Sequence, residues 1–402
     1  MSLDVKDSPM TQSVRKITTG QTVQLLKHLV SIPSVNPGIE NGCGEAELGS
    51  FIADWFRRAK RFDVYEQRVS KDRFNVIAIL RGKGHGESLM LNGHMDTVGT
   101  SGMHGDPFAT KARGGVIRGR GSCDMKGALA AMMTGMLRLA NSTHKPGGDV
   151  LFTAVVDEEH GSIGTSRLVK RFTADAAIVG EPTGMNIGVA HKGYAWVEVE
   201  TFGKRAHGSV PEKGIDAIEK MTKIISGIKE IRRRHKLRKH PLLGTAKMHT
   251  SKITGGSDWS SVPSHCVLQL ERRLLPNETG KDATNEIKQL VSEIARRDKE
   301  LRASVRLVRC ADAMQVKNPP QLPILQNAAK RFSVPARIVG VPYWTDAAIL
   351  VNEAKIPTLV FGPGDIAQAH SPDEYVRVDE VLKAADIYTQ TAKHYCNGFP
   401  AP

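Results

Sequence analysis

The sequence predicts an α/β fold of two domains, the second inserted into the first. Three observations carry this. Up to Glu181, short apolar runs alternate with stretches of helical periodicity. Between about residues 189 and 309 the order changes to β-α-β-β-α-β, the ferredoxin-like pattern. Acids and imidazoles recur at strand ends before and after that insert, so the chain must return to the first domain. The 402 residues also exceed one ordinary core.

The elements follow in order. Thr22–Val30 reads as a helix, then a turn at Pro33–Gly38. Across 45–60, Leu48, Ile52, Trp55 and Phe56 recur at helical spacing. Phe74–Leu80 and Ser88–Leu91 read as strands, with the glycines of Gly82–Gly86 in a hairpin between them. No helix follows those glycines, so they do not form a phosphate loop. Lys126–Ala140 is a helix whose methionines fill the core. Val150–Val156 and Ala176–Val179 are buried strands.

In the insert, Tyr194–Phe202 alternates as a strand. Gly214–Arg233 is a helix with Ile215, Ile218, Met221, Ile224, Ile225 and Ile228 on its apolar face. Strands at 246–254 and 266–275, a helix at 282–297 and a strand at 303–309 complete it. Residues 1–188 and 310–402 form one discontinuous domain and 189–309 the other. Pro319, Pro320 and Pro323 mark the return, and Thr358–Phe361 is the last apolar run before His370.

The residues that carry chemistry sit where strands give way to loops. His94 and Asp96 end the run from Leu91 and point to one side at strand periodicity. A carboxylate so placed can hold the second ring nitrogen and fix the tautomer that faces a metal. Asp124 follows Gly121, Glu158 and Glu159 follow the strand ending at Val156, Glu181 follows Val179, and His370 follows Phe361. In open α/β sheets such positions converge on one cleft. Two imidazoles and three carboxylates suit zinc, cobalt or manganese. They are too many for one catalytic zinc, and suit two divalent ions about 3.5–4 Å apart with a bridging carboxylate and a water between them. One carboxylate is then left as general base.

His94-x-Asp96, Gly-x-Asp124-Met-Lys-Gly, Asp157-Glu158-Glu159, Gly-Glu181-Pro-Thr and Ala-His370-x-Pro-Asp-Glu together resemble metallopeptidase family M20. That family includes acetylornithine deacetylase, succinyl-diaminopimelate desuccinylase, aminoacylase and glutamate carboxypeptidase. The motifs run in order through nearly the whole chain. The resemblance implies a di-metal exopeptidase-like catalytic domain, with a mixed sheet and helices on both faces, plus an inserted lid and dimerisation domain. It implies that His94 and Glu181 hold one metal, Glu159 and His370 the other, and Asp124 bridges them. Glu158 is then the general base, Asp96 orients His94, and a cis peptide follows Asp124. Glu at position 181 leans toward the family's deacylases and carboxypeptidases rather than its aminopeptidases.

The insert adds further candidates. The stretch around His207, Lys204–Pro211, resembles the family's lid motif, whose histidine polarises the scissile carbonyl. Glu271-Arg-Arg273-Leu-Leu-Pro resembles a strand end whose arginine clamps a substrate carboxylate, although Arg273 also reads as a surface strand residue. Ser260 stands where the family often has Asn, which puts one substrate contact in question. Thr345 and Asp346 read equally as pocket lining and as a helix cap.

Composition narrows the class. No apolar run approaches the roughly 20 residues that cross a bilayer, and the start of the chain is polar to Gly20. The five cysteines are scattered without a CxxC pair, which argues against a disulfide framework and a thiolate zinc site. The formal charge is +14, and Arg232, Arg233, Arg234, Lys236, Arg238 and Lys239 form a basic run. A basic nucleic-acid-binding module is the rival of a different class, but the run lacks aromatics for base stacking. It reads as a solvated helix end.

The expected protein is therefore a cytoplasmic amidohydrolase with two divalent metals, zinc by donor type, at sites that also suit cobalt or manganese. It cleaves N-acyl amino acids in a deacetylase- or desuccinylase-like reaction, through hydroxide generated at the metals. A carboxypeptidase or dipeptidase acting on small peptides is the alternative. The resemblance implies a homodimer through the lid domain, with His207 serving the partner subunit.

Overall fold

A computed structural model describes residues 17–143 and 145–398. The polar start expected from the sequence lies mostly outside these residues. The described chain forms two compact units. One holds the residues up to Val189, Val316–Ile338, and the residues from Thr345 onward. The other holds Ala190–Gln315 and takes in Val339–Trp344.

A mixed sheet organises the first unit. Its strands run Asp63–Ser70, Arg73–Leu80, Val150–Val155, Leu89–His94, Ala176–Val179, Thr358–Val360 and Ile187–His191. Leu89–His94 is parallel to both neighbours, and Thr358–Val360 is parallel to Ala176–Val179. The central strands are buried throughout, as expected where helices cover both faces.

The hairpin expected around Gly82–Gly86 does not form. Val150–Val155 lies between its two strands, antiparallel to one (Val76↔Ala154) and parallel to the other (Leu89↔Val150). The glycines instead allow a close backbone approach to the loop before Val150. A Cβ on Gly82 would lie 2.3 Å from the Gly148 carbonyl oxygen, and one on Gly148 2.0 Å from that of Glu87.

Helices form where the periodicity placed them. Thr19–Ser31 starts at a capping box made by Thr18 and Gln21. Gly127–Ala140 is almost wholly buried, with Met132, Met133 and Met136 in the core. It packs against Val378–Tyr395, where Arg138 meets Asp386 at 2.8 Å. A small sheet that the sequence did not disclose pairs Lys111–Arg113, Val116–Arg118 and Tyr375–Arg377.

The second unit is an antiparallel sheet in the order Lys247–Gly255, His265–Leu274, Gly193–Phe202, Arg302–Ala311, which is the ferredoxin-like order. Helices Ala217–His235 and Gly280–Arg297 complete it. The first begins later than its periodicity implied, because the Asp216 carboxylate accepts the N–H groups of Ile218 and Glu219 and fixes the start. Ile218, expected on the apolar face, is partly exposed at this first turn. The basic run ends this helix: Arg233 pairs with Glu230 at 3.0 Å, and cations here complement the dipole.

Candidate metal centre

The sheet delivers most of the site. Leu89–His94, Val150–Val155 and Ala176–Val179 end on the same edge, and His94, Glu158, Glu159 and Glu181 lie at or just past those ends. Asp124 sits on the irregular turn Ser122–Lys126, at φ −121 and ψ 94, and its peptide bond to Met125 is cis. His370 adopts a left-handed φ of 59.

Asp124 lies between the two imidazoles. Its Oδ1 is 2.9 Å from His94 Nε2, and its Oδ2 is 3.4 Å from His370 Nε2. Glu159 Oε1 is 3.2 Å from the same His370 nitrogen, and Glu181 Oε1 is 3.7 Å from His94 Nε2. Donor atoms of His94, Asp124 and Glu159 fall within 4.8 Å of one another, as do those of His94, Glu158 and Glu181. Six residues named from the sequence thus converge. Glu158, expected as a base rather than a ligand, stands in the second trio.

Charge crowding dominates the electrostatics. Burial, then the neighbouring Glu181, pushes the Glu158 carboxyl well above its usual range. Burial, then Asp124, does the same to Glu181 and raises Glu159. Burial opposes ionisation of Asp124, but hydrogen bonds from His370 and His94 outweigh it and hold its pKa down. Hydrogen bonds to Asp124 and Glu159 push His370 up to about 11. Burial would lower His94, but Asp124 and Glu181 hold it well above its ordinary value.

This set fits divalent cations. Imidazole and carboxylate donors are of the right type, and Glu181 Oε1 is buried without a hydrogen-bond partner among the described residues. A cation would offset the mutual repulsion that, with burial, raises the proton affinity of these acids.

The sequence assigned the Asp96 carboxylate to His94 Nδ1. The structure places the Asp96 backbone carbonyl there, at 2.9 Å, with carboxylate Oδ1 at 3.6 Å. The carboxylate instead accepts the N–H of Glu158 at 3.0 Å and of Glu159 at 3.1 Å. It accepts the Asn36 amide at 2.6 Å as well. The local spacing correctly put both groups on one side, but it did not reveal that the 157–159 loop would take the carboxylate. Asn36 also donates to Asp157, which binds Arg73, and Arg73 binds Glu45. Asn36, Arg73 and Glu45 were missed, because each is remote in sequence from the motifs it supports. Glu374 ends the Ala-His370-x-Pro-Asp-Glu motif, but nothing in the sequence discloses a role for it.

Thr345 and Asp346 belong to the first unit. The Thr345 hydroxyl accepts the Ala347 N–H, a local cap, while Asp346 Oδ2 accepts the Thr165 hydroxyl at 2.6 Å. Burial pushes the Asp346 carboxyl up to about 7. His207, Ser260 and Arg273 belong to the second unit. His207 Nδ1 accepts the Ser209 N–H at 3.1 Å, so the neutral ring carries its proton on Nε2. The Ser260 carbonyl accepts the Gly208 N–H at 2.7 Å, and Arg273 Nε meets Glu271 at 2.7 Å.

Comparison with known proteins identifies the family. The model of peptidase family M20/M25/M40 matches residues 90–394. The chain belongs to this family of metallohydrolases. It is 29% identical to acetylornithine deacetylase of Salmonella typhimurium, over 93% of this chain and 97% of that one. Its fold is similar to that of a Staphylococcus aureus tripeptidase, with 20% identity, a TM-score of 0.78, and coverage of 94% and 99% of the two chains. It is also similar to a dinuclear metal binding peptidase of this family from Bacillus subtilis, at 17% identity, a TM-score of 0.73, and coverage of 95% and 99%. Among the described residues no helix is long and apolar enough to cross a membrane.

Proposed function

We propose that the protein is a di-metal amidohydrolase that releases the acyl group from N-acyl amino acids, in a deacetylase- or desuccinylase-like reaction. The observation that supports it most is the placement of one carboxylate, Asp124, between two imidazoles, with Glu159 and Glu181 on either side. His94 and Glu181 would hold one cation, Glu159 and His370 the other, with Asp124 shared. Zinc suits these donors, and cobalt or manganese would serve. Such a pair supplies Lewis acidity to a carbonyl oxygen and acidity to water.

The chain's own groups move the proton. Glu158 takes it from the attacking water and returns it to the nitrogen of the breaking amide bond, so a carboxylate and an amine leave. Its raised carboxyl affinity for protons suits the second half of that cycle. Full-length similarity to an acetylornithine deacetylase favours an acylated amino acid as substrate. The reading places the enzyme in the cytoplasm. It also pairs two chains through the second unit, whose outer strand Lys247–Gly255 has an exposed edge that no strand pairs among the described residues. His207, with its proton on Nε2, would then steady the oxyanion in the partner subunit's site.

The test is a substrate panel. Chelator-treated protein is supplied with zinc, cobalt or manganese and offered N-acetyl amino acids, N-succinyl amino acids and dipeptides, with amine release as readout. Metal-dependent release from N-acyl amino acids in preference to dipeptides supports the reading. Preference for dipeptides replaces the deacylase with a peptidase. Turnover that survives metal removal overturns the di-metal mechanism.

A further inference from the structure

Glu374 has no ligand role in this reading, yet four donors converge on its carboxylate. Oε1 accepts the backbone N–H of Cys123 at 2.9 Å and of Asp124 at 3.1 Å. Oε2 accepts the N–H of Gly121 at 3.0 Å and Nη1 of Arg120 at 2.6 Å. The residue is 1% exposed. Its backbone carbonyl also accepts the Gly119 N–H at 3.1 Å, and the strand after it, Tyr375–Arg377, pairs with Val116–Arg118.

The loop is built to receive an anion. Gly121 takes φ +78, and a Cβ there would lie 2.6 Å from Thr97 Cγ2, so the position is closed to side chains. Neighbouring backbone N–H groups then point into one concavity, as in anion-binding nests. Here the anion is the chain's own carboxylate.

The placement has a consequence for the cluster. Asp124 is pinned through its backbone N–H by the same group that lies four residues after His370 in sequence. Arg120 Nη1 reaches the Ser371 carbonyl as well, at 3.4 Å. One buried acid therefore ties the loop of the shared carboxylate to the loop of one imidazole.

We infer that Glu374 is a positioning residue: it sets where Asp124 stands relative to His370, and through that the affinity of the site made by Asp124, Glu159 and His370. The inference rests on the two-cation reading. Removal of an outer hydrogen-bond partner from a metal site costs about 10–100-fold in metal affinity. Glu374→Gln keeps the shape, but its amide nitrogen meets two donors and cannot accept from them.

Metal-free protein is titrated with zinc against a chromophoric chelator, and the visible spectrum of the cobalt-loaded form is recorded. Wild type is expected to bind two equivalents. Glu374→Gln is expected to bind at least one of them about 10–100-fold more weakly, with an altered cobalt spectrum, and Glu374→Asp to fall between. A purely structural role would lower the melting temperature and leave both metal readouts unchanged. That result in folded Glu374→Gln overturns the inference. If Glu374→Gln does not fold, Arg120→Met removes one of the four donors and carries the test. Zinc binding weakened in that variant supports the inference, and unchanged zinc binding overturns it. Fewer than two equivalents in wild type defeats the two-cation reading and this inference with it, whereas two equivalents with an unaffected variant defeats the positioning role alone.

Discussion

The Nδ1 atom of His94 lies 2.9 Å from the backbone carbonyl of Asp96, while the carboxylate of Asp96 holds the N–H groups of Glu158 and Glu159. The ring of His94 is thus held at Nδ1 by main chain, and the carboxylate is spent on the loop that carries the base. Asp96→Asn is expected to lower turnover about 10–100-fold by loosening that loop. Asn36→Ala, which touches Asp96 but not His94, is expected to lower kcat in the same direction. Normal kinetics in Asn36→Ala beside an impaired Asp96→Asn would show that Asp96 acts through His94 instead.

Glu158→Gln keeps the shape of the base and removes its proton affinity. Turnover is expected to fall by at least about 100-fold, with metal content retained. Glu158 stands in a donor trio with His94 and Glu181, so metal content is the decisive measurement. Loss of a metal equivalent would mean that Glu158 is a ligand and that Glu159 takes the proton.

Cations should stabilise the fold as well as the reaction. The buried acids repel one another when no cation separates them. Zinc at about 100 times its Kd is expected to add roughly 2.7 kcal/mol of stability, read as a rise in melting temperature on titration. A chelator should reverse it. A melting temperature indifferent to both would contradict binding to the folded state.

A pH effect is expected in the second unit, away from the centre. Asp298 is bound by Lys223 at 2.7 Å and by Lys220 at 2.9 Å, and these hydrogen bonds hold its pKa well below the ordinary value. A carboxyl depressed on folding stabilises above its unfolded pKa, near 3.9, and loses that contribution as pH falls through the folded value. Asp298→Asn should therefore lower the melting temperature at pH 7, by on the order of 1–3 °C. The gap from wild type should shrink as pH falls below about 4. A constant gap would place the effect elsewhere than in the charge.

His207 tests the pairing of chains. His207→Ala should lose kcat and keep its metal. Mixing it with Glu158→Gln should restore part of the activity where subunits exchange, since a hybrid dimer holds one intact composite site. Absence of rescue despite demonstrated exchange, or an active monomer, would reject the shared site.

The sequence by itself determined the identity of the converging acids and imidazoles, because strand-end placement is a local property and their order repeats that of a family. It also determined the helices near residues 19–31, 46–59 and 127–140 and the β-α-β-β-α-β insert, because burial of one face imposes a local period on the residues, whereas Leu322–Arg331 and Val378–Tyr395 emerged as helices only in the structure. It did not determine which strands become neighbours. Phe74–Leu80 and Ser88–Leu91 read as a hairpin, and only the tertiary structure placed Val150–Val155 between the two strands, since pairing depends on residues far apart in the chain. For the same reason the small sheet at Tyr375–Arg377 was invisible, with three residues per strand and a partner at Val116–Arg118. The supports of the centre belong with these. Asn36 reaches Asp96 and Glu374 reaches the Asp124 loop only after folding has brought them together. Hydrogen-bond partners of that kind leave no period and no spacing in a sequence, because what selects them is the desolvation cost of a buried polar group left without one.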